Sequence, residues 1–242
     1  MSITETQIWE RLSTNKPFLI ENEWLGEVYS LTISKELRYI IGERLGVSGS
    51  DGWGIINQLI KKHGPQYELI IAAGLCHQTE AKDFLLSLLK QQQKPEINTV
   101  KALSCWGAIL PVNELKRIFN EKSLDMRLAG LNLLNFKVHL LHETELLELV
   151  EDLLEDFREE VVIQVIKILQ RRDEEKIIDR ISKSTSSGTE KTIEIALIAL
   201  GAIGTKYSFL KLSQLSLELR DLNHRAMAKK QLSHQCSNLN RF

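Results

Sequence analysis

The chain has 242 residues, with 31 Lys and Arg against 32 Asp and Glu and a net charge of −1. That balance excludes the strongly basic face of a generic nucleic-acid binder, and 43% hydrophobic with 26% charged residues excludes wholesale disorder. No apolar run reaches the ~18 residues of a membrane span, the N-terminus lacks the basic and apolar regions of a secretory leader, and three widely spaced cysteines (Cys76, Cys105, Cys236) suit a reducing compartment, so a cytoplasmic protein without membrane insertion is expected.

Residues 1–33 fit the pattern of the rest poorly and are predicted to form an N-terminal helical cap. Within them, Val28 to Ile33 is the one strand-like stretch, too short to make a sheet alone. From 34 to 242 the chain reads as one continuous repeat domain. Only four prolines occur, Pro17, Pro65, Pro95 and Pro111, and none follows Val112, which permits long uninterrupted helices. Leu146, Leu147, Leu149, Val150, Leu153 and Leu154 fall at helical spacing, with acids on the other face, and Val161, Val162, Val165, Ile166 and Leu169 repeat the stripe.

The helices recur. Gly46, Gly74, Gly107, Asn135, Gln170 and Gly201 stand near the ends of successive first helices, at steps of 28, 33, 28, 35 and 31 residues. Such a period with two helices per unit predicts an all-α solenoid of about six helix pairs in a right-handed superhelix. Glycine and asparagine tolerate the left-handed conformation that ends a helix, which is the reason offered for their placement. Gln170 fits least well, and Arg171-Arg172-Asp173 is an alternative turn. Second helices are expected at about Asp51–His63, Glu80–Lys90, Asn113–Asn120, Glu143–Leu154, Glu174–Ser182 and Tyr207–Leu217. The polar runs Gln91–Pro95 and Ser182–Gly188 are expected to be flexible loops. A second mark is an acid followed by Arg: Glu36-Leu37-Arg38, Asp125-Met126-Arg127, Asp156-Phe157-Arg158, and Asp221 with Arg225. The acid is expected to cap the helix start, and the Arg to reach the neighbouring unit. Arg38, Asp125, Arg127 and Gly201 are therefore structural candidates.

Acid-x-Arg-x-x-Ala, then a leucine and glycine turn and a second helix, resembles the HEAT repeat. The best match is Glu190 to Leu217, with Ala196, Ala199-Leu200-Gly201 and Ile203-Gly204 in order. The size, the degenerate repeats and the features Leu37-Arg38-Tyr39, Cys105-Trp106-Gly107 and Ala199-Leu200-Gly201 are similar to the E/F-type phycobilin lyases of cyanobacteria. That resemblance implies a protein that binds a phycobilin, a phycobiliprotein subunit or both on its concave face. It implies attachment of the tetrapyrrole to a client cysteine, or a chaperone role, with a second HEAT-repeat chain as a further partner. The bilin would enter as substrate, and no tightly bound cofactor or metal is implied. The alternative is a non-catalytic HEAT-repeat scaffold for assembly or turnover of a complex.

Bilin propionates want cationic or imidazole groups and the rings want aromatic walls. Trp53, His63, Tyr67, His77 and Trp106 supply such groups, and contact is expected to centre on Trp53, His63 and Trp106. Each is also an ordinary packing or turn residue. No catalytic residue is assigned. Ser48-Gly49-Ser50-Asp51-Gly52-Trp53-Gly54 lacks the preceding strand and the Gly-Lys-Ser/Thr of a phosphate loop and reads as an inter-helix turn. His139, His142 and Glu143 lack the further ligand of a zinc site, and His224, His234 and Cys236 fall in a tail expected to fray. Cys76-His77 pairs a thiol with an imidazole but lacks an acid to orient them. Nine acids against one Arg between Glu143 and Glu160, and seven Lys and Arg against two acids from Lys206 onward, read as two solvated faces or as a polar axis with a basic docking end.

Overall fold

The computed structural model describes residues 3–14 and 20–239, so Pro17 and parts of the predicted cap lie outside the described residues. Every regular element among them is a helix. In chain order they are α1 Glu5–Thr14, α2 Asn22–Val28, α3 Lys35–Val47, α4 Ser50–His63, α5 Tyr67–Leu75, α6 Thr79–Gln91, α7 Ile97–Ala102 with a 3-10 turn over Ser104–Ile109, α8 Val112–Phe119, α9 Leu124–Lys137, α10 Glu143–Leu154, α11 Glu159–Leu169, α12 Glu175–Ser187, α13 Glu190–Ile203, α14 Lys206–Glu218 and α15 Leu222–Leu239. The chain divides into two compact units, Met1–Arg117 and Ile118–Phe242.

In the first unit α3, α5 and α7 lie in a row, and α4 and α6 pack on their predecessors. Leu37, Ile41, Leu45, Leu69, Leu85 and Leu89 are wholly buried between them. The row is close because glycines let backbones touch. A Cβ on Gly46 would meet the Ala72 carbonyl oxygen at 2.8 Å, and one on Gly74 the Ala102 carbonyl oxygen at 2.5 Å. Both glycines are inside helices, so the repeat register holds while its expected reason does not. They serve close approach, and the left-handed turns belong instead to Gly49 (φ 65°) and Gly64 (φ 78°). Gly107 also departs from expectation. The third first helix stops at Ala102, and Gly107 lies in the 3-10 turn, where Trp106 N donates to Leu103 O at 2.7 Å.

In the second unit α9, α11, α13 and α15 form the row of first helices, and α10, α12 and α14 the row of second helices. The stripes on α10 and α11 are the core: Leu146, Val150, Val161, Val165, Ile166 and Leu169 are wholly buried. Ionic contacts join the second helices. Glu143 of α10 accepts from Lys176 of α12 at 2.7 Å, and Glu151 and the adjoining Glu155 accept from Arg180 at 3.0 and 2.7 Å. Asp179 of α12 accepts from Tyr207 Oη of α14 at 2.9 Å and pairs with Lys211 at 2.7 Å. Three acids of the stretch, Glu143, Glu151 and Glu155, are therefore answered by bases of the next second helix, an arrangement that sequence order conceals.

Two polar segments differ from expectation. Ser182–Ser187 is helix rather than loop. Ser184 and Thr185 are buried, and their hydroxyls donate to the carbonyls of Arg180 (3.4 Å) and Ser182 (2.7 Å), so each satisfies its own polarity within α12. His224, His234 and Cys236 all lie within α15 rather than in a frayed tail.

The first helices of this unit are fastened by arginines. Arg127, fourth in α9, donates Nε to Glu121 O at 2.9 Å and Nη1 to Asp156, in the connection between α10 and α11. The N-cap of α9 is Ser123, whose hydroxyl accepts from Met126 N, so the exposed Asp125 lies in the first turn rather than capping it. Arg171 reaches Asn135 O at 2.8 Å, and Arg172 reaches Leu141 O at 2.9 Å. Arg127→Ala is expected to cost about 1–3 kcal/mol, because a half-buried carbonyl and part of a buried carboxylate lose their donor. A chemical-denaturation midpoint equal to the wild type's would show that the tie contributes nothing.

Candidate functional site

A buried polar cluster lies in the first unit. Glu68, second in α5, is 6% exposed, and Tyr29, between α2 and α3, is 2% exposed. Tyr29 Oη donates to Glu68 Oε1 at 2.6 Å, and Arg38 Nε donates to the same oxygen at 2.6 Å. Arg38 Nη1 donates to Leu31 O and Ile33 O, both at 3.1 Å. The carboxylate sits in the first turn of α5, where the helix dipole favours negative charge. Arg38, one turn into α3, closes the gap between α3 and α5.

Burial first, and the Glu68 carboxylate second, push the Tyr29 phenol far above its ordinary value. A folded-state value raised above the unfolded one stabilises the fold below pH about 10, and that stabilisation is lost as pH rises further. Tyr29→Phe is expected to cost about 1.5–3 kcal/mol at neutral pH, since its bond ends on a charged acceptor. It should also flatten the fall in stability between about pH 10 and 12. Denaturation curves across that range check both, and an identical alkaline slope in the variant would remove Tyr29 from the account.

Above this cluster lies a surface groove of about 680 Å³ between the starts of α3 and α5. Tyr39 and Tyr67 line it as a stacked pair, centroids 6.2 Å apart and planes inclined 20°, and they are 38% and 49% exposed. Lys35, Glu36, Ile40 and Gln66 complete the walls, with Arg38 and Glu68 beneath. Gln66 is fixed by donating to His63 O at 2.8 Å.

The five residues expected to bind a ligand do not gather in one place. Tyr67 is in the groove. Trp53, on α4, is half-buried with its ring 6.1 Å from Phe84 of α6. His63, the last residue of α4, lies 5.5 Å from the Tyr29 ring, and its Nε2 is buried with no hydrogen-bond partner among the described residues. His77 occupies the left-handed region at φ 52°, with its exposed ring 6.3 Å from Trp106, whose Nε1 is likewise buried and without such a partner. Sequence reasoning missed Tyr39 as a site residue, together with Tyr29 and Glu68. A signal for Tyr39 existed. It stands seven residues before Gly46, as Tyr67 stands seven before Gly74, so the two tyrosines occupy one repeat position.

Cys76 is buried, and burial pushes its thiol up to about 12. It therefore stays protonated near neutral pH, where only a thiolate would attack. His142 serves as N-cap of α10, its Nδ1 accepting from Thr144 N. Among the described residues no three His, Cys, Asp or Glu converge on a possible metal position, and no helix is long and apolar enough to cross a membrane.

No model of a known protein family matches the sequence, and no curated protein does. Solved structures do resemble the fold. Human deoxyhypusine hydroxylase in complex with glycerol is 14% identical, over 96% of this chain and 89% of that one, at a TM-score of 0.43. An engineered protein is 16% identical over 90% and 97%, at 0.39. An archaeal HEAT-like repeats protein from Thermococcus onnurineus NA1 is 16% identical over 92% of this chain and 99% of that one, at 0.51. With that superposition and the paired helices described above, the fold is an all-α, HEAT-like helical repeat.

Proposed function

We propose that this chain is a scaffold that binds another protein, with its principal contact at the Tyr39–Tyr67 groove. The observation that carries this reading is the exposed, stacked tyrosine pair, built at one repeat position over a buried Tyr29–Glu68–Arg38 cluster that fixes α3 against α5. Two rigid aromatic rings give contact area at small entropic cost, and their hydroxyls add directional bonds. Trp53, His63, His77 and Trp106 are secondary contacts for a client wide enough to cover the unit.

The resemblance to E/F-type phycobilin lyases gives the finer form of the proposal. The client is a phycobiliprotein subunit, and the groove holds the open-chain tetrapyrrole between its tyrosine walls, with the exposed Lys35 ammonium facing a propionate. The chain's own Cys76 takes no part, because its thiol stays protonated. Positioning the bilin against a client cysteine is then the chain's contribution.

Titration with a phycobilin, followed by absorbance and fluorescence, separates the two forms. A spectral change lost in Tyr39→Ala/Tyr67→Ala supports bilin binding, and an unchanged spectrum leaves the protein-only scaffold. In a pull-down from a native host, the same double variant is expected to lose the client by more than about tenfold, with helical content intact. Client binding equal to the wild type's would remove the groove from the proposal. Trp53→Ala, in the same assay, should weaken binding less and lower the melting temperature more, because its ring packs on Phe84.

A further inference from the structure

Glu43 and Arg44 stand four and three residues before Val47 in α3, so all three share one side of the helix. That side borders a cavity of about 540 Å³ between α3 and α2. Leu25 of α2, 2% exposed, and Ile20, 6% exposed, give it an apolar wall, and Val47, 74% exposed, stands at its edge. One end is fixed by Ser48 Oγ, which donates to Asn22 Oδ1 at 2.9 Å and so ties the end of α3 to the start of α2.

The charge on this wall is unanswered. Arg44 lines the cavity and is half-buried. Its Nη2 donates to Leu12 O of α1 at 2.8 Å, and its Nη1 is buried with no hydrogen-bond partner among the described residues. Arg38, Arg127, Arg158, Arg172 and Arg180 each pair with a carboxylate. Arg44 pairs with none among the described residues, the adjoining Glu43 included. A half-buried cation without a counter-charge is unfavourable, and a bound anion offsets that cost.

The walls select the anion. A phosphate would set two charges against Leu25 and Ile20 and beside Glu43. A carboxylate brings one charge, and an apolar tail behind it fills the remaining space. We propose that this cavity binds a small apolar organic acid, its carboxylate at Arg44 and its tail along Ile20, Leu25 and Val47. The volume is in the range of small-molecule sites, and a charge-assisted bond to a guanidinium is among the stronger polar contacts. The cavity shares no lining residue with the Tyr39–Tyr67 groove, so the proposal stands apart from the function assigned to that groove.

The test is calorimetric titration of the full chain with octanoate, with 1-octanol as the uncharged control. Octanoate is expected to bind about tenfold or more tightly than octanol. Arg44→Gln should weaken octanoate by about tenfold or more and leave octanol unchanged. Because Arg44 also holds Leu12, two variants at exposed positions of α3 keep the test independent of folding. Val47→Asp should weaken octanoate by about threefold, and Glu43→Gln should tighten it by about as much, both with helical content intact. Octanol binding as well as octanoate overturns the proposal, as does octanoate binding that is absent or is indifferent to all three substitutions. A peptide ending in leucine with a free carboxylate that binds more tightly than octanoate also overturns it, since the cavity would then take a chain end rather than a small acid.

Discussion

Asp156→Ala is expected to destabilise the chain by about 3–5 kcal/mol, the range for removing one partner of a buried ion pair. The Asp156 side chain is fully buried in the connection between α10 and α11. It accepts from Arg158 N at 3.0 Å, Arg158 Nε at 2.9 Å and Arg158 Nη2 at 2.8 Å, and from Arg127 Nη1 of α9. Without the carboxylate, two guanidinium groups only 19% and 14% exposed lose their counter-charge. The Arg158 bonds, more than the Arg127 charge, hold the Asp156 carboxyl far below the usual carboxylate range. A folded-state value depressed in this way stabilises the fold above pH about 3.9, and the stabilisation is lost as pH falls below that. Asp156→Asn should therefore cost stability at neutral pH and show a shallower acid decline than the wild type. Urea denaturation at several pH values checks both, and a wild-type midpoint for Asp156→Ala would refute the assignment.

Gly52→Ala is expected to cost about 3 kcal/mol or more, at the upper end of overpacking, because the obstacle is backbone. Gly52 is buried in the first turn of α4, and a Cβ there would overlap the carbonyl of Leu45 in α3 and lie 3.2 Å from Ser48 Cβ. Neither can withdraw without opening the α3–α4 turn. Gly54, two residues on in the same helix, supplies the control. A Cβ at Gly54 meets nothing within 4 Å, so Gly54→Ala should be neutral or stabilising by up to about 1 kcal/mol through helix propensity alone. Equal melting temperatures for the two variants would show that the approach at Gly52 has been misread.

The same seven residues show how far sequence carries. The segment from Ser48 to Gly54 read as a turn between helices, but only Ser48 and Gly49 turn, and α4 begins at Ser50. Its sequence could not say which glycine turns the chain, which admits a neighbouring backbone and which has open space, because that depends on what lies opposite. The helix pairs were legible for a related reason. Apolar spacing and turn residues are local, so the bounds expected for α10, Glu143–Leu154, coincide with the structure. The continuation of α12 through Ser187 was not legible, since the hydroxyls that make a serine-rich run look like loop are absorbed by the helix's own carbonyls. The candidate site was the least legible part. Tyr67 was singled out, but its partner Tyr39 is 28 residues away and meets it only because α3 and α5 are adjacent. His77 and Trp106 lie ring to ring, while Trp53 packs on Phe84 and His63 on Tyr29.

The helix rows are held together by different means, and ionic strength distinguishes them. In the first unit, α3, α5 and α7 meet through glycine-backed van der Waals contact and one shielded carboxylate. In the second unit, second helices are joined by bridges at exposed carboxylates such as Glu151 and Glu155, 51% and 61% exposed. Added electrolyte screens the latter and leaves the former nearly untouched. The outer row α10, α12 and α14 is thus the part whose rigidity responds to its ionic surroundings, whereas the buried Asp156 bridge of the same unit and the Glu68 cluster beneath the stacked tyrosines are shielded from them.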